Sequence, residues 1–235
     1  MFNTTIATQI YAKICFEATN SQKKIIENLS EYLSDDDFSR IFVLNGFAGT
    51  GKTTLIAAVV AALKELRIKP VLLAPTGRAA KVLARYCGEQ ALTIHKRIYR
   101  QRTNADYESK FSLDFNREQG AVFIVDEASM LSDSTGDGAL FGSGSLLEDL
   151  VSYVRSGRGC RLILVGDSAQ LPPVGCDFSP ALDPATVSRY GEVVYGLMDE
   201  VVRQQMQSGI LFNATLVRCM LENRIYEIPK FEMDY

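Results

Sequence analysis

The chain has 235 residues, of which 47% are hydrophobic and 23% are charged, and its formal net charge is −3. This balance is typical of globular proteins and excludes collagen-like, low-complexity and wholly disordered chains. At about 150 residues per domain, the length predicts one or two domains, and either arrangement buries a core without disulfide or metal staples.

The sequence carries no signal for a membrane or for secretion. The longest apolar run, 55–63, has nine residues, whereas a membrane-spanning helix needs about 20. Polar residues near the N-terminus argue against a secretory signal. Five scattered cysteines without C-x-x-C spacing predict reduced thiols, and the single histidine, His95, excludes a multi-histidine metal centre. We therefore expect a cytoplasmic protein without a membrane partner.

Short apolar runs alternate with amphipathic segments along the chain. Four apolar runs predict strands covered on both faces, as in a parallel sheet: 41–44, 71–74, 121–125 and 162–165. Three segments between them predict helices: 51–66, 78–87 and 146–154. The alternation predicts an α/β fold with a doubly wound, mainly parallel sheet. We expect one domain over 1–235, with a small hairpin inserted within 101–120 and a mobile loop within 132–145.

A phosphate-binding loop follows the first predicted strand. Residues 46–53, Gly-Phe-Ala-Gly-Thr-Gly-Lys-Thr, match the pattern G-x-x-x-x-G-K-[ST] without a mismatch. The glycines let backbone N–H groups surround a phosphate at a helix N-terminus, Lys52 would reach the β- and γ-phosphates, and Thr53 would bind Mg²⁺. The alternative is an ordinary glycine-rich turn, which the strand–loop–helix context disfavours.

Two later strands end in polar side chains. Asp126 and Glu127 follow the third predicted strand, at the sheet edge where open α/β folds bind ligands. Asp126 would hold Mg²⁺ through its water shell, and Glu127 would polarise the attacking water. After the fourth strand, two prolines stiffen the loop that carries Gln170, which would lie near the γ-phosphate. Taken alone, this last segment also fits a proline-terminated turn with an incidental glutamine.

Basic residues are concentrated in one stretch. Residues 78–102 contain seven Lys or Arg and one Glu, so this stretch carries +6 and the remainder of the chain −9. A local basic block on an acidic chain is typical of a surface that follows nucleic-acid phosphates. Taken alone, the block also fits a solvated helix face.

Several motifs occur in one order along the chain. They are the phosphate loop, 74–80 (Ala-Pro-Thr-Gly-Arg-Ala-Ala), 93–95 (Thr-Ile-His), 126–129 (Asp-Glu-Ala-Ser), 166–173 (Gly-Asp-Ser-Ala-Gln-Leu-Pro-Pro) and 202–204 (Val-Arg-Gln). Together they resemble the superfamily 1 DNA helicases of the RecD/Dda type. Asn-Ser-Gln at 20–22 resembles the adenine-reading glutamine motif of that group. The resemblance implies a RecA-like P-loop NTPase fold, with ATP and Mg²⁺ as cofactors and single-stranded DNA as partner.

The resemblance implies roles for individual residues around ATP. Gln22 would select adenine, and Gln170 would sense the γ-phosphate. Arg203 would stabilise charge on the transferring phosphoryl group, as arginine fingers do. Lys52 and Glu127 would complete the catalytic set, and Thr53 and Asp126 would hold the metal. The triphosphate cradle would comprise Gly46, Ala48, Gly49, Thr50, Gly51, Lys52, Thr53 and Thr54.

The resemblance also implies contacts to single-stranded DNA. The residues concerned are Pro75, Thr76, Arg78, Thr93 and His95, and the basic block spans them. The hairpin near 107–117 would occupy the place of a strand-separating pin. Ordinary roles stay open: a surface ion pair for Arg203, helix capping for Thr76 and His95, and hairpin packing for the stripe Phe111, Leu113 and Phe115.

The sequence departs from this resemblance after Arg203. A helicase of this type uses two RecA-like domains, but only 32 residues follow Arg203. We therefore expect a first motor domain that turns over ATP poorly by itself, because translocation needs two domains to move relative to each other. The resemblance also implies 5′-to-3′ movement, and nuclease or recombination subunits as partners, as in exodeoxyribonuclease and repair complexes.

Two other functions stay open. The first is a P-loop NTPase of another class, such as a small-molecule kinase, which the basic block and segment 166–174 disfavour. The second is a nucleotide-gated DNA-binding module without turnover, which the presence of both Glu127 and Arg203 disfavours.

Overall fold

The computed structural model describes residues 2–103, 109–133 and 141–200, together with Asn213, Leu216, Val217 and Met220. Within these ranges the strands are β1 (Ile41–Gly46), β2 (Pro70–Ala74), β3 (Ala91–Thr93), β4 (Tyr99–Thr103), β5 (Ser109–Leu113), β6 (Val122–Val125), β7 (Arg161–Gly166) and β8 (Val193–Met198). The α-helices are α1 (Phe2–Lys13), α2 (Asn20–Ser34), α3 (Lys52–Glu65), α4 (Gly77–Cys87), α5 (Ile94–Ile98), α6 (Leu146–Ser156) and α7 (Pro184–Val187).

Six parallel strands form the main sheet, in the spatial order β3-β2-β6-β7-β1-β8. The central strands β1, β6 and β7 are buried along their whole length. Their continuous apolar sequence follows from this burial, because parallel strands covered on both faces have no polar side. The prediction of a doubly wound, mainly parallel α/β sheet is therefore confirmed, and β1, β2, β6 and β7 are the four predicted strands.

Helices cover both faces of the sheet. Phe42 and Leu44 on β1 belong to one core layer, which α1, α2, α3 and Leu83 of α4 complete. Ile41 and Val43 belong to the opposite layer, which α5 and α6 complete. Successive residues of β1 alternate between the two layers, as the two-residue period of a strand requires. The three predicted helices are α3, α4 and α6, with ends within two residues of the predicted ones.

The inserted hairpin lies earlier than predicted. Its strands β4 and β5 pair antiparallel from Tyr99 opposite Leu113 to Thr103 opposite Ser109. The prediction of a hairpin within 101–120 therefore placed its start two residues late and its end seven residues late. Tyr99 directly follows α5 as its C-cap residue and has an extended backbone conformation. Strand β4 therefore begins directly after the helix. Phe115 lies beyond β5 and is 64% exposed, so it does not share the packing of Phe111.

The segment 132–145, predicted to be a mobile loop, is described only at its two ends, because 134–140 lie outside the described residues. Its downstream end joins the hairpin: Phe141 forms a parallel bridge with Phe111, and the Gly142 N–H donates to the Phe111 carbonyl at 2.9 Å. Ser145 then caps α6 by accepting from the Glu148 N–H. Among the described helices, none combines the length and apolar character that crossing a membrane requires.

Candidate active site

The phosphate loop joins β1 to α3. Gly49 and Gly51 adopt φ values of 78° and 86°, which favour glycine, and Gly51 lies directly before the first residue of α3. At Gly46 an added Cβ would lie 2.9 Å from the Met198 Cβ and 3.0 Å from the Lys52 Cγ. Thr50 is buried and closes the loop, because its hydroxyl donates to the Phe47 carbonyl at 2.8 Å. The loop therefore has the turn and the close approach that the sequence pattern predicts.

Lys52 lies across the mouth of this loop. Its Nζ donates to the carbonyls of Gly46 and Phe47, the latter at 2.9 Å, and lies 3.9 Å from Oδ2 of Asp167. The side chain of Asp167 is only 3% exposed, so water screens this ion pair weakly. The ammonium thus sits where the β- and γ-phosphates of a nucleotide would replace carbonyl oxygens as its partners.

Asp126 and Glu127 are brought to the same site by a change of backbone conformation. Asp126 follows β6, and Glu127 adopts a left-handed conformation with φ 55° and ψ 37°. The Glu127 N–H donates to Oδ1 of Asp126 at 3.0 Å. Adjacent residues of a regular strand point to opposite faces, and the left-handed conformation of Glu127 breaks this alternation directly after β6. Burial raises the pKa of both carboxyl groups, and the charge of Lys52 opposes that rise.

Burial dominates the acidity of both carboxyl groups. It raises the pKa of Asp126, against the Glu127 N–H and Lys52, which lower it. It also raises the pKa of Glu127, and the negative charges of Asp126 and Asp167 raise it further. A carboxylate with a raised pKa is a better proton acceptor near neutral pH, which suits the role predicted for Glu127.

Gln170 lies on Glu127. Its side chain hydrogen bonds to the Glu127 carboxylate, which lowers the pKa of that group, and its Oε1 lies 3.4 Å from the Ser129 hydroxyl. The loop that carries Gln170 is tied to the end of β1 through Asn45. The Asn45 Oδ1 accepts from the Ser168 N–H at 3.0 Å, and its Nδ2 donates to the Ser168 hydroxyl at 2.8 Å.

Asp167 and Asn45 are site residues that the sequence reasoning missed. Asp167 is a carboxylate at the end of a buried strand, as Asp126 is. That position was the available signal. Asn45 is a polar residue inside an otherwise apolar buried strand, and it also donates to the hydroxyl of Tyr195 on β8 at 3.0 Å. A buried amide with partners on two other elements is a mark of a positioning role.

Gln22 is placed in the interior rather than at an open surface. Its Oε1 accepts from the Thr19 N–H at 3.0 Å as part of the capping box of α2, and its Nε2 donates to the Thr50 carbonyl at 2.9 Å. The residue is fully buried. The structure therefore joins Gln22 to the phosphate loop, and the expected contact with adenine stays a prediction.

The residues expected to touch DNA follow two neighbouring strands. Pro75, Thr76 and Arg78 come after β2, and Thr93 and His95 come at the end of β3, which pairs with β2 through Ala74 opposite Thr93. Both threonines cap helices, a role that was left open above for Thr76 only. Thr76 accepts from the Ala79 N–H at 3.2 Å, and Thr93 accepts from the Lys96 N–H at 3.3 Å. Arg78 is exposed.

His95 belongs to an aromatic cluster at the base of the hairpin. Its ring centroid lies 5.6 Å from that of Tyr99 and 5.1 Å from that of Phe141, which in turn stacks on Phe111 at 4.5 Å. Burial lowers the pKa of His95, so its neutral form is favoured. The cap role considered for His95 belongs to Thr93 instead.

Part of the basic block is neutralised by ion pairs. Arg97 donates to Glu118 at 2.7 Å, and Arg100 pairs with Asp114 at 2.7 Å. The positive charge available to a ligand is therefore smaller than the count over 78–102 suggests. Arg203, the expected arginine finger, lies outside the described residues.

The donors present fit a magnesium–nucleotide complex. No three His, Cys, Asp or Glu side chains in the described ranges cluster tightly enough to hold a metal unaided. Mg²⁺ does not require such a cluster, because it is bound by one or two carboxylates plus substrate phosphates and water. Asp126 can supply a partly buried carboxylate, Thr53 a hydroxyl at the start of α3, and Lys52 a cation for the phosphates.

Comparisons with known proteins identify a family and its relatives. A family model described as an AAA domain matches residues 17–211. The chain is 31% identical over 154 residues to the ATP-dependent RecD2 DNA helicase of Deinococcus radiodurans. The matched region covers 66% of this chain and 19% of that protein. It is 34% identical over 136 residues to the ATP-dependent DNA helicase dda of Enterobacteria phage T4. That match covers 56% of this chain and 28% of that protein.

Solved structures share the fold. The Pif1 helicase from Bacteroides in complex with ADP-AlF3 and ssDNA has a TM-score of 0.56 and 19% identity, covering 87% of this chain and 47% of that one. The Pif1 helicase from Candida albicans has a TM-score of 0.56 and 21% identity, covering 92% of this chain and 46% of that one. The chain spans 19% to 28% of the length of the two curated relatives described above and under half of these solved chains.

Proposed function

We propose that this chain, which belongs to the AAA-domain family whose model it matches, is the ATP-hydrolysing motor domain of a DNA helicase related to RecD and Dda. One observation carries the proposal: Lys52 lies within 3.9 Å of Asp167 and acts electrostatically on Asp126 and Glu127, and Gln170 binds Glu127. A phosphate loop that faces two acidic strand ends and a glutamine is built for phosphoryl transfer to water.

The residues divide the reaction between them. The backbone N–H groups of the phosphate loop and Lys52 would bind the β- and γ-phosphates. Thr53 and Asp126 would hold Mg²⁺, which would neutralise charge on the phosphates. Glu127 orients a water molecule and accepts its proton as the water oxygen attacks the γ-phosphorus. The bond from the γ-phosphorus to the bridging oxygen breaks, and ADP keeps its electron pair. Arg203 would stabilise the charge on the transferring group.

Gln170 would report the state of this site to DNA. It lies between Glu127 and the exposed loop 171–178, so loss of the γ-phosphate changes the partners of a residue next to that loop. Single-stranded DNA would lie along the ends of β2 and β3, over Thr76, Arg78 and Thr93. The Bacteroides Pif1 structure, which holds ssDNA, supports this class of partner.

Finer assignments follow from the resemblance. Movement would be 5′ to 3′, the second motor domain would lie outside this sequence, and nuclease or recombination subunits in exodeoxyribonuclease or repair complexes would be partners. The RecBCD subunit RecD of Mycobacterium tuberculosis, 32% identical over 201 residues, supports this context. Four described cysteines are free thiols, which supports a cytoplasmic location.

The test is ATP hydrolysis by the 235-residue chain at low salt, with and without single-stranded DNA. We expect weak Mg²⁺-dependent turnover that DNA stimulates and that Lys52→Ala abolishes. Lys23→Ala, at an exposed position on α2, serves as the control for loss of one cation. Hydrolysis that ignores DNA, both here and in a protein with both motor domains, would contradict a helicase and favour another class of P-loop NTPase. Nucleotide-dependent DNA binding without turnover would favour the nucleotide-gated module.

A further inference from the structure

Helix α4 exposes a stripe of basic and apolar side chains. Ala80 and Leu83 are the buried residues of this helix. The opposite side carries Arg78, Lys81, Val82, Arg85 and Tyr86, all of them exposed, and we call these five residues the α4 stripe. Their spacing of three and four residues places them on one helix face.

The three cations of the α4 stripe have no carboxylate partner among the described residues. None of Arg78, Lys81 and Arg85 forms an ion pair with a residue in the described ranges, unlike Arg97 and Arg100 of the same basic block. Glu89, just beyond α4, is paired with Lys64. The stripe therefore presents uncompensated positive charge, which favours a polyanion over a neutral partner.

Two apolar side chains accompany these cations. Val82 is 47% exposed and Tyr86 is 61% exposed. An exposed tyrosine next to arginine and lysine is the combination with which proteins stack a base while binding the neighbouring phosphates. An acidic protein partner would need only the cations, and it would not explain why Tyr86 is exposed.

The α4 stripe continues from the edge proposed to bind single-stranded DNA. Thr76 caps α4, and Arg78 lies in its first turn. From Arg78 to Tyr86 the helix rises about 12 Å. At ~3.4 Å per nucleotide of a stacked strand, this length matches roughly three to four nucleotides.

We infer that the α4 stripe is a second contact surface for single-stranded nucleic acid. Lys81 and Arg85 bind phosphates beyond those bound by Arg78, and Tyr86 stacks on a base. This inference rests on the proposed function and extends it, because it adds contacts outside the motifs that resemble the helicase family.

The experiment measures binding of fluorescent oligo(dT) to the 235-residue chain by anisotropy, without nucleotide, between about 50 and 200 mM salt. Lys81→Gln/Arg85→Gln removes two cations. The control, Lys23→Gln/Lys24→Gln, changes the net charge equally at exposed positions of α2, which packs against β8 at the opposite edge of the sheet. Because each single-strand phosphate contact contributes about −0.7 to the slope of log K against log salt, we expect a slope shallower by about 1.4 in the first variant only.

Tyr86→Ala separates stacking from charge. We expect it to lower affinity about fivefold or more while leaving the salt slope unchanged. All these positions are exposed, so the variants should keep the fold.

Each outcome decides the inference. An unchanged slope in the α4 variant, with DNA still bound, would overturn it, leave the proposed function intact and turn attention to an acidic protein partner. Equal losses in the α4 variant and the control would also overturn it, as an effect of net charge. No DNA binding by the unaltered chain would overturn both the inference and the DNA-binding part of the proposed function.

Discussion

Replacing Asp149 by alanine tests how the hairpin β4–β5 is fixed to the motor domain. Asp149 lies in the first turn of α6, and its side chain is a shared acceptor. The Tyr99 hydroxyl donates to its Oδ2 at 2.6 Å, and the Ser143 N–H donates to the same oxygen at 3.0 Å. Tyr99 is the first residue of β4, and Ser143 follows the segment that bridges to Phe111 of β5. One carboxylate thus joins α6 to both parts of the hairpin base.

The expected cost follows from these two bonds. A hydrogen bond to a charged group contributes about 1.5–3 kcal/mol, and a buried donor left without an acceptor costs a similar amount. Asp149 and Tyr99 are each 5% exposed, so water replaces the lost acceptor poorly. Removing the carboxylate also relieves its own burial cost, which opposes the loss. We therefore expect Asp149→Ala to lower the free energy of unfolding by about 2–4 kcal/mol.

Urea unfolding measures this change, and two further variants locate its cause. Glu148→Ala removes a neighbouring, exposed carboxylate from the same helix turn, and should cost only about 0.3–1 kcal/mol through the helix dipole. Tyr99→Phe removes the hydroxyl alone. A double-mutant cycle between Tyr99→Phe and Asp149→Ala should give a coupling of about 1.5 kcal/mol.

Hydrogen exchange shows whether the hairpin is affected specifically. We expect Asp149→Ala to increase amide exchange in β4 and β5 more than in the central strands β1 and β7. A coupling energy below about 0.5 kcal/mol, or an exchange increase spread evenly over the sheet, would refute the reasoning that this carboxylate fixes the hairpin.

Three further predictions concern the site and the pH dependence of stability. Because the Asp167 charge raises the pKa of Glu127, Asp167→Asn should move the acidic limb of the ATPase pH–rate profile to lower pH, and an unmoved limb would contradict this. If Gln22 only supports the phosphate loop, Gln22→Ala should weaken ATP and GTP binding equally, by about 1–3 kcal/mol. If Gln22 reads adenine, the same variant should lose any preference for ATP over GTP. Burial and the Asp133 carboxylate raise the pKa of Tyr190 to about 12. The folded state then keeps this proton longer than the unfolded state, so its stabilisation is intact below pH ~10 and is lost as the pH rises towards about 12. Tyr190→Phe should flatten the fall of Tm over this range, and an unchanged curve would refute the assignment.

The central strands could be predicted because burial on both faces leaves a simple pattern. β1, β6 and β7 each contain a continuous apolar run. A short continuous apolar run between two helices is typical of a strand buried on both faces. The edge strands gave no such signal. β3 has only three residues, and β8 alternates buried and exposed positions around Gly196, which lies against Ile25 of α2. Both strands depend on their neighbours rather than on their own sequence.

The chemistry of the site was more predictable than its geometry. The phosphate-loop pattern predicted Lys52, and residue types at a strand end predicted Asp126 and Glu127, because ligands of open α/β sheets bind at that edge. Which side chains face each other depends on backbone conformation and distant contacts. The left-handed conformation of Glu127 is uncommon for a residue other than glycine, and no local pattern announces it. Gln22 lies 28 residues from the carbonyl it binds, so its role in supporting the phosphate loop depends on tertiary structure alone.

The spatial arrangement of the basic residues matters more for binding than their number in the sequence. A count over 78–102 treats all basic residues as equal. Folding pairs Arg97 with Glu118 and Arg100 with Asp114, whereas Lys81 and Arg85 form no ion pair within the part of the chain that the structure describes. Helical periodicity then decides what the unpaired charges can do, because it places them on one face, with Tyr86 beside them. A ligand interacts with that arrangement of charges and not with the net charge of the stretch 78–102. The salt dependence of DNA binding, which counts only cations that meet phosphates, is therefore a sharper probe of this surface than affinity measured at one salt concentration.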